Sequence, residues 1–359
     1  MKTSDLDYYL PPELIAQHPA DERSSSRLLV VDRTQRKFED RLFRDICDYL
    51  NPGDCLVLND TKVIPARFFA KRKTGGKIEG LFVQSPNPRL WNVMLKNARN
   101  LKAGDSIIIV DLTGDDFCQA LIREKLDEGN WQIEVQSDLP AFELLEKIGI
   151  MPLPPYIRRP PLTTPSPTPM YAGCMPDVYR YQTVYAAAPG AIAAPTAGLH
   201  FTPELMQSLK NKGVTFATLT LHVGIGTFKP VTVDNLKDHI MHYEAYQLNE
   251  ANATIINQAK SRCCRIIPVG TTSVRTVESI AATNEGQIIA QQGLTNLFIT
   301  PGYQFRTTDA IITNFHLPKS TLLALVGAFA GLEFIISAYK HAVEQKYRFF
   351  SYGDAMMVL

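Results

Sequence analysis

The sequence lacks the segments that direct a protein into or across a membrane. The opening residues, MKTSDLDYYL, contain no apolar run and no small-residue cleavage site, so we expect no export signal. The most apolar run, Thr321–Ile336, is shorter than a bilayer span and contains Glu333, which favours a buried helix. The six cysteines have no regular spacing, which argues against a disulfide framework and a zinc site. We therefore predict reduced thiols and a cytoplasmic protein.

The chain also has almost no net charge. Its 37 Lys and Arg residues balance 36 Asp and Glu residues, so a nucleic acid, if one binds, must be held by a local basic patch. A hydrophobic content of 45% is ordinary for a globular protein, and a length of 359 residues predicts about two domains.

Several common catalytic motifs are missing. The sequence contains no G-x-S-x-G motif and no P-loop. Gly224 and Gly226 lack the third glycine of a dinucleotide fingerprint, and Pro230 argues against a helix at that point. A nucleotide-dependent oxidoreductase is therefore a weak alternative, which the absorbance of a bound nicotinamide or flavin would reveal.

The central part of the sequence predicts a strand, a helix and a second strand. The first strand is Ala191–Ala194, and the helix has a typical N-cap at Thr202 and a typical glycine stop at Gly213. The second strand alternates between apolar and polar residues. Two polar loops, Pro195–Phe201 and His222–Phe228, then follow the carboxyl ends of neighbouring strands, which is the edge where open α/β sheets bind ligands.

Short β-rich runs without helices occupy the region after Val63. Strands at this spacing predict a small barrel or sandwich. Since α/β sequence lies on both sides, we predict an α/β (or α+β) main domain, residues 1–62 plus 150–359, with an inserted all-β barrel-like domain, residues 63–149. The β-rich runs are Arg67–Lys71, Ile78–Gln84, Leu90–Leu95, Ser106–Val110, Phe117–Glu124 and Trp131–Val135.

The predicted barrel has a basic rim. Surface lysines usually form only a solvated face, but small barrels often bind oligonucleotides, so both interpretations stay open. A helix capped by Asp138, with Phe142 facing inward, follows the barrel, and a proline-rich stretch, residues 152–180, leads back to the main domain. The rim residues are Arg67, Lys71, Arg72, Lys73, Lys77, Lys96, Arg99 and Lys102.

A possible anion site follows the predicted strand Arg265–Val269. The loop Gly270–Ser273 leads into a helix predicted from Val274, and the free N–H groups at a helix start bind anions. Arg275 opposes the helix dipole there, which makes sense if it shares an anionic ligand with the loop. An N-cap beside an ordinary surface arginine is the alternative.

One other run of residues could bind a metal ion. His239, His242 and Glu244 lie close together in the sequence, but their spacing is not H-E-x-x-H. We expect a polar network there and no metal.

Seven sequence motifs resemble those of one protein family. They are NDTKVIPAR (Asn59–Arg67), YQTVYA (Tyr181–Ala186), APTAGLHFT (Ala194–Thr202), HVGIGTF (His222–Phe228), GTTSVR (Gly270–Arg275), TNFHLPKS (Thr313–Ser320) and YRFFSYGD (Tyr347–Asp354). Together they resemble, in the right order, the S-adenosylmethionine:tRNA ribosyltransferase-isomerase family of queuosine biosynthesis. One departure is Pro160–Tyr179, which is longer than the link usual in that family.

The resemblance implies a reaction and its partners. The ribosyl group of S-adenosylmethionine (AdoMet) is transferred to 7-aminomethyl-7-deazaguanine at the wobble position of a tRNA and isomerised. Epoxyqueuosine-tRNA forms, and adenine and methionine are released. AdoMet is a consumed substrate, so no further cofactor is implied, and we expect a monomer. A non-catalytic RNA-binding protein, with the barrel binding the RNA, is the alternative from another class; it would bind tRNA without consuming AdoMet.

The implied reaction suggests roles for residues in these motifs. The sulfonium acidifies the adjacent 5′ carbon, so a base is needed, and an acid must help adenine leave. The catalytic candidates are Asp60, His200, His222 and His316. The candidates for AdoMet binding are Thr196, Gly198, Gly224, Gly226, Thr227, Gly270, Thr271, Thr272, Ser273 and Arg275, with Arg275 on the methionine carboxylate. The candidates for tRNA binding are Asn59, Lys62, Arg67, Lys71, Arg72 and Lys73.

Overall fold

The computed structural model describes residues 1–159, 175–224 and 231–359, and these form two compact units. The α/β unit contains the described residues of Met1–Lys62, Gln182–Ala188 and Ala194–Leu359, and the barrel unit contains those of Val63–Tyr181 and Pro189–Ala193. The predicted division into a main domain, residues 1–62 plus 150–359, and an inserted domain, residues 63–149, stays a prediction.

The described residues contain seventeen strands and seven α-helices. The strands are β1 (Arg27–Asp32), β2 (Lys37–Leu42), β3 (Cys55–Asn59), β4 (Thr61–Val63), β5 (Arg67–Arg72), β6 (Lys77–Asn87), β7 (Leu90–Lys96), β8 (Ser106–Val110), β9 (Asp116–Lys125), β10 (Asn130–Val135), β11 (Ala188–Ala191), β12 (Thr215–Leu221), β13 (Glu244–Leu248), β14 (Ile266–Pro268), β15 (Gln291–Thr295), β16 (Ile311–Asn314) and β17 (Ala355–Val358). The helices are α1 (Ala141–Ile148), α2 (Met175–Arg180), α3 (Pro203–Asn211), α4 (Glu250–Ser261), α5 (Thr271–Thr283), α6 (Thr321–Ala330) and α7 (Leu332–Glu344).

The barrel unit is built on a closed antiparallel barrel of six strands. The strand order is β10-β7-β6-β5-β8-β9, and β9 pairs with β10 to close it. Alternate residues of these strands are buried, among them Phe68, Phe82 and Trp91, because one face of each strand lines the interior. Gly80 leaves room for the ring of Phe68, since a Cβ at that position would lie 2.2 Å from it. The predicted all-β barrel is confirmed.

Helix α1 differs in detail from its prediction. Pro140 is the N-cap, and the carboxylate of Asp138, predicted to cap the helix, instead accepts a hydrogen bond from Arg89. Phe142, predicted to face inward, is 42% exposed, whereas Leu144 is buried. The helix ends at Gly149, as predicted.

The α/β unit contains a five-stranded sheet of order β14-β3-β12-β13-β15. The three strands β14, β3 and β12 run parallel, and β13 and β15 add antiparallel pairs at one side. Strand β3 is buried along its whole length, as expected for a parallel strand with neighbours on both sides. In β12 the apolar residues Ala217, Leu219 and Leu221 are buried, which matches the predicted alternation.

The predicted strand Ala191–Ala194 was placed wrongly. The observed strand is β11, Ala188–Ala191, and it lies in a separate two-stranded sheet with β4. Strand β12 pairs with β3 on one side and with β13 on the other, so β11 has no place beside it. The two strands that flank helix α3 are therefore not neighbours.

A second sheet of the α/β unit, of order β16-β17-β1-β2, meets the first sheet through β16. Val269 and Ile312 form an isolated parallel bridge, and the N–H of Gly270 donates to the carbonyl oxygen of Ile312 at 2.7 Å. The carboxyl end of β16 therefore lies at the same edge as those of β3, β12 and β14.

The predicted apolar helix Thr321–Ile336 is two helices. Gly331, with φ of 88°, separates α6 from α7, and their axes differ by 114°. Both helices pack into the core of the α/β unit around Phe315 and Tyr339. Over the described ranges, no single helix is long and apolar enough to cross a membrane; α6 and α7 meet the length and composition criteria only as this bent pair.

Candidate functional site

Asn59 joins the ends of two parallel strands to the helix that follows a third. Its Nδ2 donates to the carbonyl oxygen of Leu221 at 3.0 Å and to Thr272 Oγ1 at 3.3 Å. Its Oδ1 accepts from the backbone N–H groups of Leu221 and Thr61. These bonds satisfy a buried amide and hold β3, β12 and α5 together. A contact of Asn59 with tRNA was predicted, but the side chain is fully buried, so its role here is to hold this edge of the sheet together.

Asp60 directly follows β3 and His222 directly follows β12, so both residues lie at the same edge of the sheet. Thr220 Oγ1 donates to Asp60 Oδ1 at 2.6 Å, and His222 Nδ1 lies 2.8 Å from Thr61 Oγ1. Partial burial lowers the pKa of His222 below its ordinary value, and the Asp60 carboxylate opposes that shift. His222 is therefore neutral at pH 7. Its Nε2 is bonded to no described residue.

The third strand end leads into an uncapped helix. Gly270 has a φ of 87°, which favours glycine, and α5 begins at Thr271, three residues before the predicted start. No side chain in the described part of the chain caps this helix. Its first-turn N–H groups and the positive end of its dipole are therefore available to an anion. The hydroxyl of Ser273 is already used, since it donates to the carbonyl oxygen of Val269 at 2.9 Å.

Arg275 lies in a buried polar cluster and not on the surface. Its side chain is 3% exposed and forms an ion pair with Glu244, which is 6% exposed. Its Nε donates to the carbonyl oxygen of Leu297 at 3.0 Å, and its buried Nη2 has no partner among the described residues. Glu244 Oε1 also accepts the backbone N–H of Gly224 at 3.2 Å. The alternative of an ordinary surface arginine is therefore wrong, and Arg275 connects α5 with the exit of β12.

The segment Thr196–His200 reaches the same edge as a 3₁₀-helix. A Cβ built on Gly270 would lie 3.7 Å from Ala197 Cβ, so this segment packs against the start of α5. A Cβ on Gly198 would lie 1.9 Å from the hydroxyl oxygen of Tyr185. Gly198 was predicted to let the backbone approach AdoMet, but in this structure the missing side chain makes room for Tyr185.

His200 is a buried, neutral histidine with both ring nitrogens bonded. Its Nδ1 lies 2.7 Å from Ser26 Oγ, and Asn314 Nδ2 donates to its Nε2 at 3.1 Å. Because the amide can only donate there, the ring proton is on Nδ1. Burial lowers the pKa of His200 to about 3, and the positive charges of Arg348 and Arg23 add to the shift. The imidazole has no free nitrogen for a proton transfer in this arrangement.

His316 is also held inside the protein. Its Nε2 bonds with Thr313 Oγ1 at 2.9 Å, and its backbone N–H donates to the hydroxyl of Tyr339. The hydroxyl of Tyr8 donates to its carbonyl oxygen. Burial lowers the pKa of His316 to about 3, so this ring is neutral as well.

The remaining predicted AdoMet residues divide by position. Thr196 and Gly224 are half-buried, and Thr272 lies in the first turn of α5. Gly226 and Thr227 lie outside the described residues, as does most of the long proline-rich link.

Two of the predicted tRNA-binding cations form ion pairs within the barrel unit. Arg67 pairs with Glu79 at 2.7 Å, and Lys71 pairs with Asp116. The remaining three are Lys62, an exposed residue of the α/β unit, Lys73, which is exposed, and Arg72, which is half-buried and donates to the carbonyl oxygen of Asn97.

His239 and Glu244, which were predicted to share a polar network, have different partners. His239 packs edge-on against Phe298, whereas Glu244 pairs with Arg275. Across residues 1–159, 175–224 and 231–359, no group of three or more His, Cys, Asp or Glu side chains is placed to hold a metal ion.

The sequence reasoning assigned no role to two residues of this region. Tyr185 and Thr183 belong to the motif Tyr181–Ala186, which contributed to the resemblance but suggested no contact with a substrate. Only the packing of Tyr185 against Gly198 reveals that it lies at this edge.

Comparisons with known proteins agree with the sequence resemblance. The profile of the family described as queuosine biosynthesis protein matches residues 3–358. The crystal structure of S-adenosylmethionine tRNA ribosyltransferase from Thermotoga maritima, determined at 2.00 Å resolution, is 36% identical in sequence and superposes with a TM-score of 0.54. The match covers 99% of this chain and 100% of that chain. This chain belongs to the queuosine biosynthesis protein family.

Proposed function

We propose that this chain transfers the ribosyl group of AdoMet to 7-aminomethyl-7-deazaguanine at the wobble position of a tRNA and isomerises it. The products are epoxyqueuosine-tRNA, adenine and methionine. The observation that carries this proposal is the match to the queuosine biosynthesis family over nearly the whole chain. The similar protein from Thermotoga maritima is an S-adenosylmethionine tRNA ribosyltransferase. AdoMet is consumed as a substrate, and the proposal includes no further cofactor.

His222 is the best of the four catalytic candidates for the base. A base needs a free lone pair at neutral pH and access to the substrate. His200 and His316 are buried, and both nitrogens of His200 are bonded. His222 is half-buried and neutral, and when its Nδ1–H donates to Thr61 its Nε2 carries a lone pair. We assign to Nε2 the removal of a proton from the 5′ carbon of AdoMet.

Asp60 supports this role through its charge. The carboxylate lies close enough to His222 to raise its pKa against the effect of burial. It therefore stabilises the imidazolium that forms when His222 accepts the proton. Thr220 fixes one oxygen of this carboxylate, which keeps its position defined.

The start of α5 is the proposed site for the methionine carboxylate. Its N–H groups at Thr271, Thr272 and Ser273 belong to an uncapped first turn, where an anion is favoured. Arg275 contributes a positive charge behind this turn, although its ion pair with Glu244 makes it a positioning residue and not a direct contact. Ala197 and Gly270 keep the neighbouring backbones close together.

The assay that tests the function measures the released products. The protein is incubated with AdoMet and with tRNA that carries the deazaguanine precursor, and free adenine and methionine are measured by mass spectrometry. Release that requires the precursor supports the proposal. If tRNA binds and neither product is released, the non-catalytic RNA-binding alternative is correct.

We propose that tRNA contacts the basic rim of the barrel. Lys73 and Lys77 are exposed and form no ion pair with a described residue, whereas Lys71 is paired with Asp116. Replacing Lys73 and Lys77 by Gln should therefore weaken tRNA binding and reduce its salt dependence, by a slope of about 0.7–0.9 for each phosphate that the variant no longer neutralises. Lys71→Gln is the matched control and should have a smaller effect. Unchanged affinity in the double variant would mean that the tRNA docks elsewhere.

The predicted cytoplasmic location and monomeric state stay predictions. Size-exclusion chromatography with light scattering, with and without tRNA, measures the state of assembly directly.

A further inference from the structure

Two hydroxyl groups beside the proposed active site are buried without a partner. Tyr185 OH and Thr183 Oγ1 are both shielded from solvent, and neither bonds to a described residue. Both side chains pack against Gly198, because a Cβ there would lie 1.9 Å from Tyr185 OH and 2.8 Å from Thr183 Cγ2. An unsatisfied buried hydroxyl is destabilising, so two of them in one place call for a partner that the described residues do not supply.

Asp60 is a neighbour of Tyr185. The backbone N–H groups of Ala187 and Ala188 donate to the Asp60 carbonyl oxygen at 2.7 and 3.2 Å, which fixes the segment that follows Tyr185 next to Asp60. Burial raises the pKa of Tyr185, and the Asp60 carboxylate adds to that shift. Tyr185 therefore keeps its proton at physiological pH and is a hydrogen-bond donor.

No hydrogen bond joins Tyr185 to Asp60 directly. Thr220 donates to Asp60 Oδ1, and Asp60 Oδ2 accepts from no described residue. A phenol donor and a carboxylate oxygen, neither bonded to a described residue, thus belong to neighbouring side chains. The group that satisfies both must accept a hydrogen bond from Tyr185 and donate one to Asp60.

The chemistry of the ligand follows from this requirement. An alcohol both donates and accepts, so it satisfies the two groups together. An ammonium group has no lone pair for the Tyr185 proton, and a carboxylate or phosphate would be repelled by Asp60. A carboxylate with neighbouring donors is also the arrangement that proteins use for the hydroxyls of ribose.

We propose that Tyr185, Thr183 and Asp60 form a subsite for a sugar hydroxyl. On the basis of the proposed function, the sugar is the ribose of AdoMet. The ribose of a tRNA nucleotide has the same chemistry, and the experiment below separates the two sources.

The test compares the binding of AdoMet with that of its 2′-deoxy and 3′-deoxy analogues. Equilibrium dialysis measures the three affinities for the wild type and for Tyr185→Phe, with and without unmodified tRNA. The matched control is Tyr49→Phe, since Tyr49 precedes the opposite end of β3 and its hydroxyl is bonded to Glu39 and Arg41. Thr183→Val is the second variant if Tyr185→Phe does not fold.

The expected result is a loss that depends on the ligand. Tyr185→Phe should weaken AdoMet binding about five- to tenfold, the size of one hydrogen bond, and should not weaken further the binding of the analogue that lacks the contacted hydroxyl. Tyr49→Phe should change none of the three affinities. An equal loss for all three ligands, or no loss for any ligand or for tRNA, would overturn the subsite, because the hydroxyl would then serve only the fold or an ordered water.

Two other outcomes are informative. If Tyr185→Phe leaves all three AdoMet affinities unchanged but raises the KM for tRNA in the product assay, the sugar belongs to tRNA and the assignment to AdoMet is overturned. If the ligand-dependent loss occurs but the wild type releases no adenine with precursor tRNA, the subsite stands and the proposed function fails.

Discussion

The guanidinium of Arg275 pairs with the carboxylate of Glu244, and the same carboxylate accepts the backbone N–H of Gly224. This buried cluster ties α5, just beyond its first turn, to β13 and to the residues that follow β12. Two loops of the proposed AdoMet site are thereby held in fixed positions relative to each other. Within this cluster the Glu244 carboxylate neutralises the buried charge of Arg275.

Removal of Arg275 should destabilise the protein as well as affect AdoMet binding. Arg275→Ala removes the buried cation that pairs with the Glu244 carboxylate, so the free energy of unfolding should fall by about 3–5 kcal/mol. Arg41→Ala, which breaks the exposed pair with Glu39, should have a much smaller effect, because solvent screens that pair. Urea unfolding measures both. If Arg275→Ala were as stable as the wild type and only the KM for AdoMet increased, Arg275 would be a direct ligand contact.

The rate of adenine release should depend on the protonation of His222. The base must be neutral, and burial lowers its pKa below 6.5, so the single-turnover rate should be constant near pH 7 and fall as the pH decreases through that lower pKa. Asp60 raises this pKa, so Asp60→Asn should move the fall to lower pH while it reduces the rate. His222→Gln should lower the rate by about 10²-fold or more.

The control for this experiment is His18→Gln, since His18 is an exposed histidine. It should leave the pH profile unchanged. An acid limb that persists in His222→Gln would show that another group is the base.

The sequence predicted the elements of this fold better than their arrangement. Alternation and turn signals predicted β12 and the barrel strands, because one face of each strand is buried. The pairing of β12 with β3, which are more than 150 residues apart, leaves no local signal, so β11 was placed beside β12 instead.

The candidate site shows the same limit. Asn59, Asp60 and His222 were predicted as site residues because they are polar and lie at the ends of buried strands. Whether a polar residue contacts a ligand or another side chain depends on burial, which the sequence does not contain. Arg275 and His200 therefore look like ligand contacts in the sequence, but in the structure Arg275 pairs with Glu244 and both ring nitrogens of His200 are bonded within the protein.

The buried histidines should make the protein sensitive to acid. The pKa of His200 is about 3 in the folded state and near 6.5 in the unfolded chain. Its stabilising effect is fully present above pH 6.5 and is lost as the pH falls towards 3, because the unfolded state binds the proton first. Over that range the group contributes a slope of about 1.4 kcal/mol per pH unit.

Urea unfolding of His200→Asn at several pH values from 7.5 to about 4.5 tests this slope. The variant should lose stability at pH 7.5, because two buried hydrogen bonds change, but its stability should then decrease less steeply with acid than that of the wild type. Parallel curves for the two proteins would mean that His200 titrates normally in the folded state.

The close approach of Tyr185 to Gly198 predicts that substitution of two glycines of the site will affect stability differently. Gly198→Ala would place a methyl group 1.9 Å from Tyr185 OH, so either Tyr185 or the backbone must move, and the free energy of unfolding should fall by about 1–3 kcal/mol. Gly224→Ala is the matched control, because a Cβ there meets no described atom within 4 Å and should change stability by less than about 0.5 kcal/mol. Thermal unfolding measures both changes. Because the displaced hydroxyl is the proposed donor to the sugar, Gly198→Ala should also reproduce the ligand-dependent loss of AdoMet binding expected for Tyr185→Phe; a destabilised protein that binds AdoMet normally would separate this packing from recognition of the sugar.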